Sequence, residues 1–92
     1  MADITSPAPD SSVDCTFTVK GTCSGAFTFV AKNSAGNPIP GTTKSPACQN
    51  GKFKVEITVC GVSTGDTITL EVTDGGGTSR IQVTLNETCP AC

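Results

Sequence analysis

Histidine, tryptophan and tyrosine are absent from this 92-residue chain, and methionine occurs once. Without histidine the commonest general base and metal ligand is missing. No serine then has an imidazole beside it to raise its nucleophilicity. An enzyme is therefore not expected. Four phenylalanines are the only aromatic residues, so a core must be assembled mainly from aliphatic side chains. Charge is sparse too, at 15% of residues with a net charge of −2. The five lysines and one arginine are scattered along the chain, which gives no nucleic-acid footprint. No apolar run is long enough for a membrane helix or a signal-peptide core, so no membrane association is expected. The opening "MADITSPAPD" is acidic and polar, unlike a secretory leader. Helical spacing with caps is missing throughout.

What is present is alternation. Apolar residues recur at every second position, with Thr filling many of the places between. In "CTFTVKG", Cys15, Phe17 and Val19 share a face opposite Thr16, Thr18 and Lys20. In "AFTFVA", Phe27, Phe29 and Ala31 alternate with Thr28 and Val30. "KFKVEITVC" sets Phe53, Val55, Ile57 and Val59 against Lys54, Glu56, Thr58 and Cys60. "TITLEVT" turns Ile68, Leu70 and Val72 inward, and "RIQVTL" does the same with Ile81, Val83 and Leu85. A short first strand lies near "ADIT" and ends at the "SPAP" prolines, which have no N–H for a ladder. Between these runs stand turn residues: "GNPIPG" from Gly36 to Gly41, "QNGK" with its Asn50-Gly51 hairpin signal, "STGD" and "DGGGTS". Six or seven short strands at this spacing predict an all-β fold, an immunoglobulin-like antiparallel β-sandwich formed by a single domain over residues 1–92.

The stretch "ITSPAPDSSVDCTFTVKGTCSG", residues 4–25, resembles the opening of bacterial immunoglobulin-like modules. Those begin with a short strand, a Ser-Pro corner, a Gly/Asp/Ser turn, a Val, and a strand that ends in Val-x-Gly-Thr. Beyond residue 25 the likeness lies in strand count and spacing. The resemblance implies a spacer, an adhesive unit or a surface decoration without shared catalytic residues. The family pattern does not require cysteines, so the six in this chain are a departure from it.

Six cysteines allow fifteen pairings, and alternating strand direction reduces them. With the start of the second strand taken as the top of the fold, Cys15, Cys60, Cys89 and Cys92 fall at the top, and Cys23 and Cys48 at the bottom. A Cys23–Cys48 bond follows. Of the three pairings open to the top four, the two that fasten the tail, residues 86–92, to the body are favoured over a small Cys89–Cys92 ring. A disulfide closing a large loop contributes roughly 2–4 kcal/mol, which suits a core too small to be secure alone.

Other motifs read plainly. "CPAC", Cys89 to Cys92, has the spacing of a redox dithiol, but no helix follows it to lower a thiol pKa. A zinc site at Cys15, Cys60, Cys89 and Cys92 would contain only one C-x₂-C pair and no histidine, so no cofactor is expected. Glu56 and Glu71, both on outward strand faces, are possible neighbours on a solvated surface. Asp10, Asp14 and Asp74 lie in separate loops at no calcium-loop spacing. "DGGGTS" lacks the lysine of a phosphate loop, and "NET" at Asn86 is a glycosylation acceptor by pattern.

The expected function is that of a non-enzymatic structural module, a bacteriophage capsid decoration protein on the virion surface. It would be a homo-oligomer that stabilises the shell by contacts with capsid protein. The alternative is an immunoglobulin-like spacer or adhesive module from a bacterial exported or cell-surface protein. The N-terminal segment, an edge strand and the turn holding Pro38, Ile39 and Pro40 are the expected contact elements. Peptide mapping without reduction should recover a Cys23–Cys48 peptide; a Cys23–Cys60 peptide would refute the strand directions on which the pairing rests.

Overall fold

Side chains of an extended backbone point alternately to opposite faces, so each two-residue repeat becomes a strand with one apolar side. A computed structural model describes residues 2–92, and its strands follow that rule. They are β1 (Asp3–Ser6), β2 (Ser12–Val13), β3 (Thr16–Thr22), β4 (Thr28–Lys32), β5 (Lys52–Thr58), β6 (Thr67–Asp74) and β7 (Gly77–Leu85), with no helix among the described residues. They form two sheets: one ordered β1-β3-β5, the other β2-β7-β6-β4. All pairings are antiparallel except β2 on β7, where Ser12 and Val13 run parallel to Thr84 and Leu85.

One buried cluster joins the sheets. From the three-stranded sheet come Ile4, Val19, Phe53 and Ile57, and from the other Phe29, Ile68, Leu70, Val72, Val83 and Leu85. Phe27 precedes β4 and packs its ring on Phe53, with centroids 4.5 Å apart. The hairpin signals also hold. Asn50 and Gly51 both take positive φ, 54° and 76°, between the bonded pair Gln49 and Lys52. "DGGGTS" turns β6 into β7, with the Gly76 N–H donating to Asp74 Oδ1 at 2.7 Å.

Three disulfides close the two ends of this core. At one end Cys23 is bonded to Cys48, with Cα atoms 6.0 Å apart. At the other end Cys15 is bonded to Cys89 and Cys60 to Cys92, with Cα separations of 5.6 and 5.0 Å. Backbone bonds hold the tail between them: the Cys89 N–H donates to the Val62 carbonyl and the Gly61 N–H to the Pro90 carbonyl. The four cysteines considered for zinc are thus consumed in pairs, and a disulfide sulfur is not the thiolate that zinc needs. No other His/Cys/Asp/Glu group suited to a metal occurs among the described residues.

The long β4–β5 connection departs from a simple surface loop. Ile39 is 3% exposed and belongs to the core, so of the turn expected to make contacts only Pro38 and Pro40 face solvent. Its burial follows from the bonds that fold this segment onto β4. The Ile39 N–H donates to the Ala31 carbonyl, and the buried Thr42 hydroxyl accepts from the Ala31 N–H and donates to the Ile39 carbonyl.

Gly21 sets the closest approach in the three-stranded sheet. It lies on the inner face of β3, and a Cβ there would run into the Asp3 carbonyl oxygen and the Phe53 ring. Both neighbours are held in place, one as strand backbone and the other in the core. Gly21→Ala should therefore destabilise the fold by about 1–3 kcal/mol through overpacking. Gly25→Ala, with nothing within 4 Å of the added carbon, should stay within about 0.5 kcal/mol of the parent. Thermal melts of the two variants check the contrast, and equal melting points would contradict the packing described.

Candidate docking face

Register on β3 and β5 decides what the outer face of the three-stranded sheet carries. Lys20 lies opposite Lys54, Thr22 opposite Lys52, Thr18 opposite Glu56, and Thr16 opposite Thr58. Lys52 and Lys54 share a face because they are two residues apart. Lys20 joins them only through the antiparallel pairing. Three of the five lysines therefore line one groove of about 700 Å³, together with Thr5, Ala47 and Gln49. The 47–49 segment, anchored by Cys48 and by the Gln49–Lys52 bonds, forms one wall.

None of these three lysines is in an ion pair among the described residues. Like charges directly opposite on neighbouring strands destabilise a sheet by a few tenths to about 1 kcal/mol. A chain with more acids than bases has thus gathered half of its six cations at one spot, unpaired. The cluster is a local conflict with stability, since nothing in the described fold neutralises it. The three ammonium groups are point charges on flexible stems, which an anionic group would complement. It holds no nucleophile–base pair.

The acids show the opposite arrangement. Glu71 sits on the outer face of the four-stranded sheet, in the row Val30–Glu71–Arg80, and is 8% exposed. Lys32 Nζ lies 3.2 Å from its Oε1, and Arg80 Nε donates to its Oε2 at 3.0 Å. Burial pushes the Glu71 carboxyl up, but the bonds from Arg80 and Lys32 outweigh it and hold the pKa below the ordinary value. The result is a clamp across β4, β6 and β7, with its charge satisfied. Glu56 is not its neighbour: the two carboxylates lie on different sheets, because alternation fixes a face and not which strands pair.

The remaining sequence candidates are dispersed. Cys89 and Cys92 bond to different partners, so "CPAC" forms no dithiol–disulfide couple of its own. Asp74 is the last residue of β6, paired with Gly77, whereas Asp14 follows β2, which pairs with the far end of β7. The Asp74 carboxylate accepts from the Gly76 and Ala2 N–H groups, which lower its pKa. Asp10 has a φ of 64° and donates its N–H to the Gln82 carbonyl. The lysine groove escaped the linear reading; its only local signal is "KFK", a two-residue spacing of like charge.

A carboxyl whose folded pKa is depressed contributes stability above its unfolded pKa, about 4.3 for Glu, and loses it as pH falls through the folded value. Melting temperature should therefore drop as pH is lowered from 6 towards about 3. Glu71→Gln should flatten part of that slope and cost about 1 kcal/mol at pH 7, a modest figure because the Arg80 side chain is 61% exposed. An unchanged pH profile in the variant would remove Glu71 from this role. Comparison with protein-family models, with curated proteins and with solved structures finds no match to this chain.

Proposed function

We propose that this chain is a non-enzymatic structural module that works by docking its lysine-bearing sheet face onto an acidic protein surface. The observation that carries this reading is the groove in which Lys20, Lys52 and Lys54 stand together with no ion-pair partner among the described residues. A disulfide anchors one wall of that groove, so little order has to be gained on binding. The setting that fits best is decoration of a bacteriophage capsid, where a rigid domain spanning subunits strengthens the shell. An interface of that kind buries at least about 1,000 Å², more than the groove alone, so flanking parts of the face would take part.

The strand layout supports an immunoglobulin-like reading of the fold. β3 and β5 oppose β4, β6 and β7, and the first strand is split between the sheets as β1 and β2. These match the B, E, C, F and G positions of such sandwiches. The strand that usually follows the C position is replaced by the bonded 38–44 segment. The fold supplies architecture, and the function is argued from the groove.

The second reading is an immunoglobulin-like spacer or adhesive module of an exported bacterial protein. The three disulfides accord with it as well, since they need an oxidising compartment, which cell surfaces and released virions both offer. Mass spectrometry of purified particles and of cell-surface fractions from the source culture separates the two. Capsid decoration predicts the chain on particles, at a fixed ratio to the shell protein. Charge reversal, Lys20→Glu with Lys54→Glu, should release it from particles at physiological salt while leaving the melting temperature within about 2 °C. Recovery only in the cell-surface fraction would replace the capsid reading with the adhesive one.

A further inference from the structure

Two open sheets have edges that invite pairing with other chains, and this fold deals with three of its four. β2 is only two residues long, and β1 is four residues with a register shift between Ile4 and Ser6. The free side of β4 is covered by its own connecting segment: Phe29 and Lys44 exchange backbone bonds of 2.7 and 2.8 Å, and Ile39 bonds to Ala31. β5 is different. It has seven residues in unbroken register with β3, and among the described residues no other strand pairs with it.

The direction of its peptide groups follows from bonds at its ends. The Gly51 carbonyl accepts from Cys23 and the Val59 N–H donates to Cys15, so odd-numbered residues bond towards β3. Lys52 exchanges two bonds of 2.9 Å with Gln49 on the other side. Alternation then turns the N–H and C=O groups of Lys54 and Glu56 towards the open edge.

Charged residues on an edge ordinarily repel a second copy. Here they alternate in sign within "KFKVEIT", and that changes the outcome. If a second copy is placed antiparallel about Val55, Lys54 meets Glu56 of the second copy, and Glu56 meets its Lys54. On the inner face Phe53 meets Ile57, and Val55 meets Val55. Lys54 and Glu56 become the hydrogen-bonded pairs, as their outward peptide groups require. The two Val55 residues form the non-bonded pair, where side chains approach most closely. Val55 is the half-buried member of its inner row and would be covered. Neighbouring registers are worse. A slip of one residue opposes inner to outer faces. The next symmetric register on either side sets Glu56 against Glu56 or Lys54 against Lys54.

We propose that the protein forms a twofold homodimer through antiparallel β5–β5 pairing centred on Val55, which joins the two three-stranded sheets into one. The Gln49–Lys52 pair ends the ladder, so pairing spans Phe53 to Ile57. The dimer brings two lysine grooves onto one continuous face, but its existence does not depend on the docking partner.

Sedimentation velocity from micromolar to about 1 mM protein reads the monomer–dimer equilibrium directly. The parent should shift towards twice the monomer mass with concentration. Lys54→Glu or Glu56→Lys alone should weaken the dimer by about tenfold or more, because attractive cross-strand pairs become repulsive. The double variant, Lys54→Glu with Glu56→Lys, should restore it, and an equimolar mixture of the two single variants should form a heterodimer. Glu56→Pro removes an N–H that faces the open edge, so it should abolish the dimer while circular dichroism still shows a folded monomer. A parent that stays monomeric throughout, a dimer indifferent to the single reversals, or one not restored by the double exchange would overturn the proposal. A parent protein that dimerises but is absent from particles would count against the docking reading alone.

Discussion

A core made of aliphatic side chains and a few phenylalanines, enclosed by strands of at most nine residues, needs closing at its ends, and here covalent bonds close it. The Cys23–Cys48 bond ties the end of β3 to the segment before β5. The Cys15–Cys89 and Cys60–Cys92 bonds fasten the tail across both sheets. Each removes freedom from the unfolded chain, most of all the bond that spans 74 positions of sequence. This frees the rest of the sequence from having to supply stability, and the outer faces can carry Thr and selected charges instead of additional apolar surface.

Those charges fall into two kinds. Glu71 is enclosed by Lys32 and Arg80 and acts as a fastener across three strands. Lys20, Lys52 and Lys54 face solvent with no carboxylate partner among the described residues, two of them directly opposed. A clamp favours the folded state, whereas a cluster of like charge opposes it mildly and gains only when something anionic arrives. The difference separates a structural ion cluster from the face proposed for docking more sharply than either residue type does.

The edges follow the same division. The chain bonds its own loop along β4 and keeps β1 and β2 short, yet it leaves β5 long, regular and open. The lysines, the groove wall and the open edge all belong to the same side of the three-stranded sheet. Unpaired positive charge is thus concentrated there among the described residues, while the four-stranded sheet is internally satisfied around Glu71.

The sequence by itself determined the strands and their inner faces. A period of two is a property of the extended backbone, so Phe53, Val55 and Ile57, or Ile68, Leu70 and Val72, share a side before any partner is known. Asn50-Gly51 and the Asp74–Gly77 stretch marked their turns for equally local reasons, the ease of positive φ and the closeness of a side-chain acceptor. Strand direction, which alternation of neighbours sets, was enough to put Cys23 beside Cys48. Tertiary structure alone decided which strands became neighbours. That choice moved Glu56 away from Glu71, turned Ile39 inward, and brought Lys20 across from Lys54 over a gap of more than thirty residues. Alternation tells a side chain which way to face, but only the pairing of distant strands tells it what it will face.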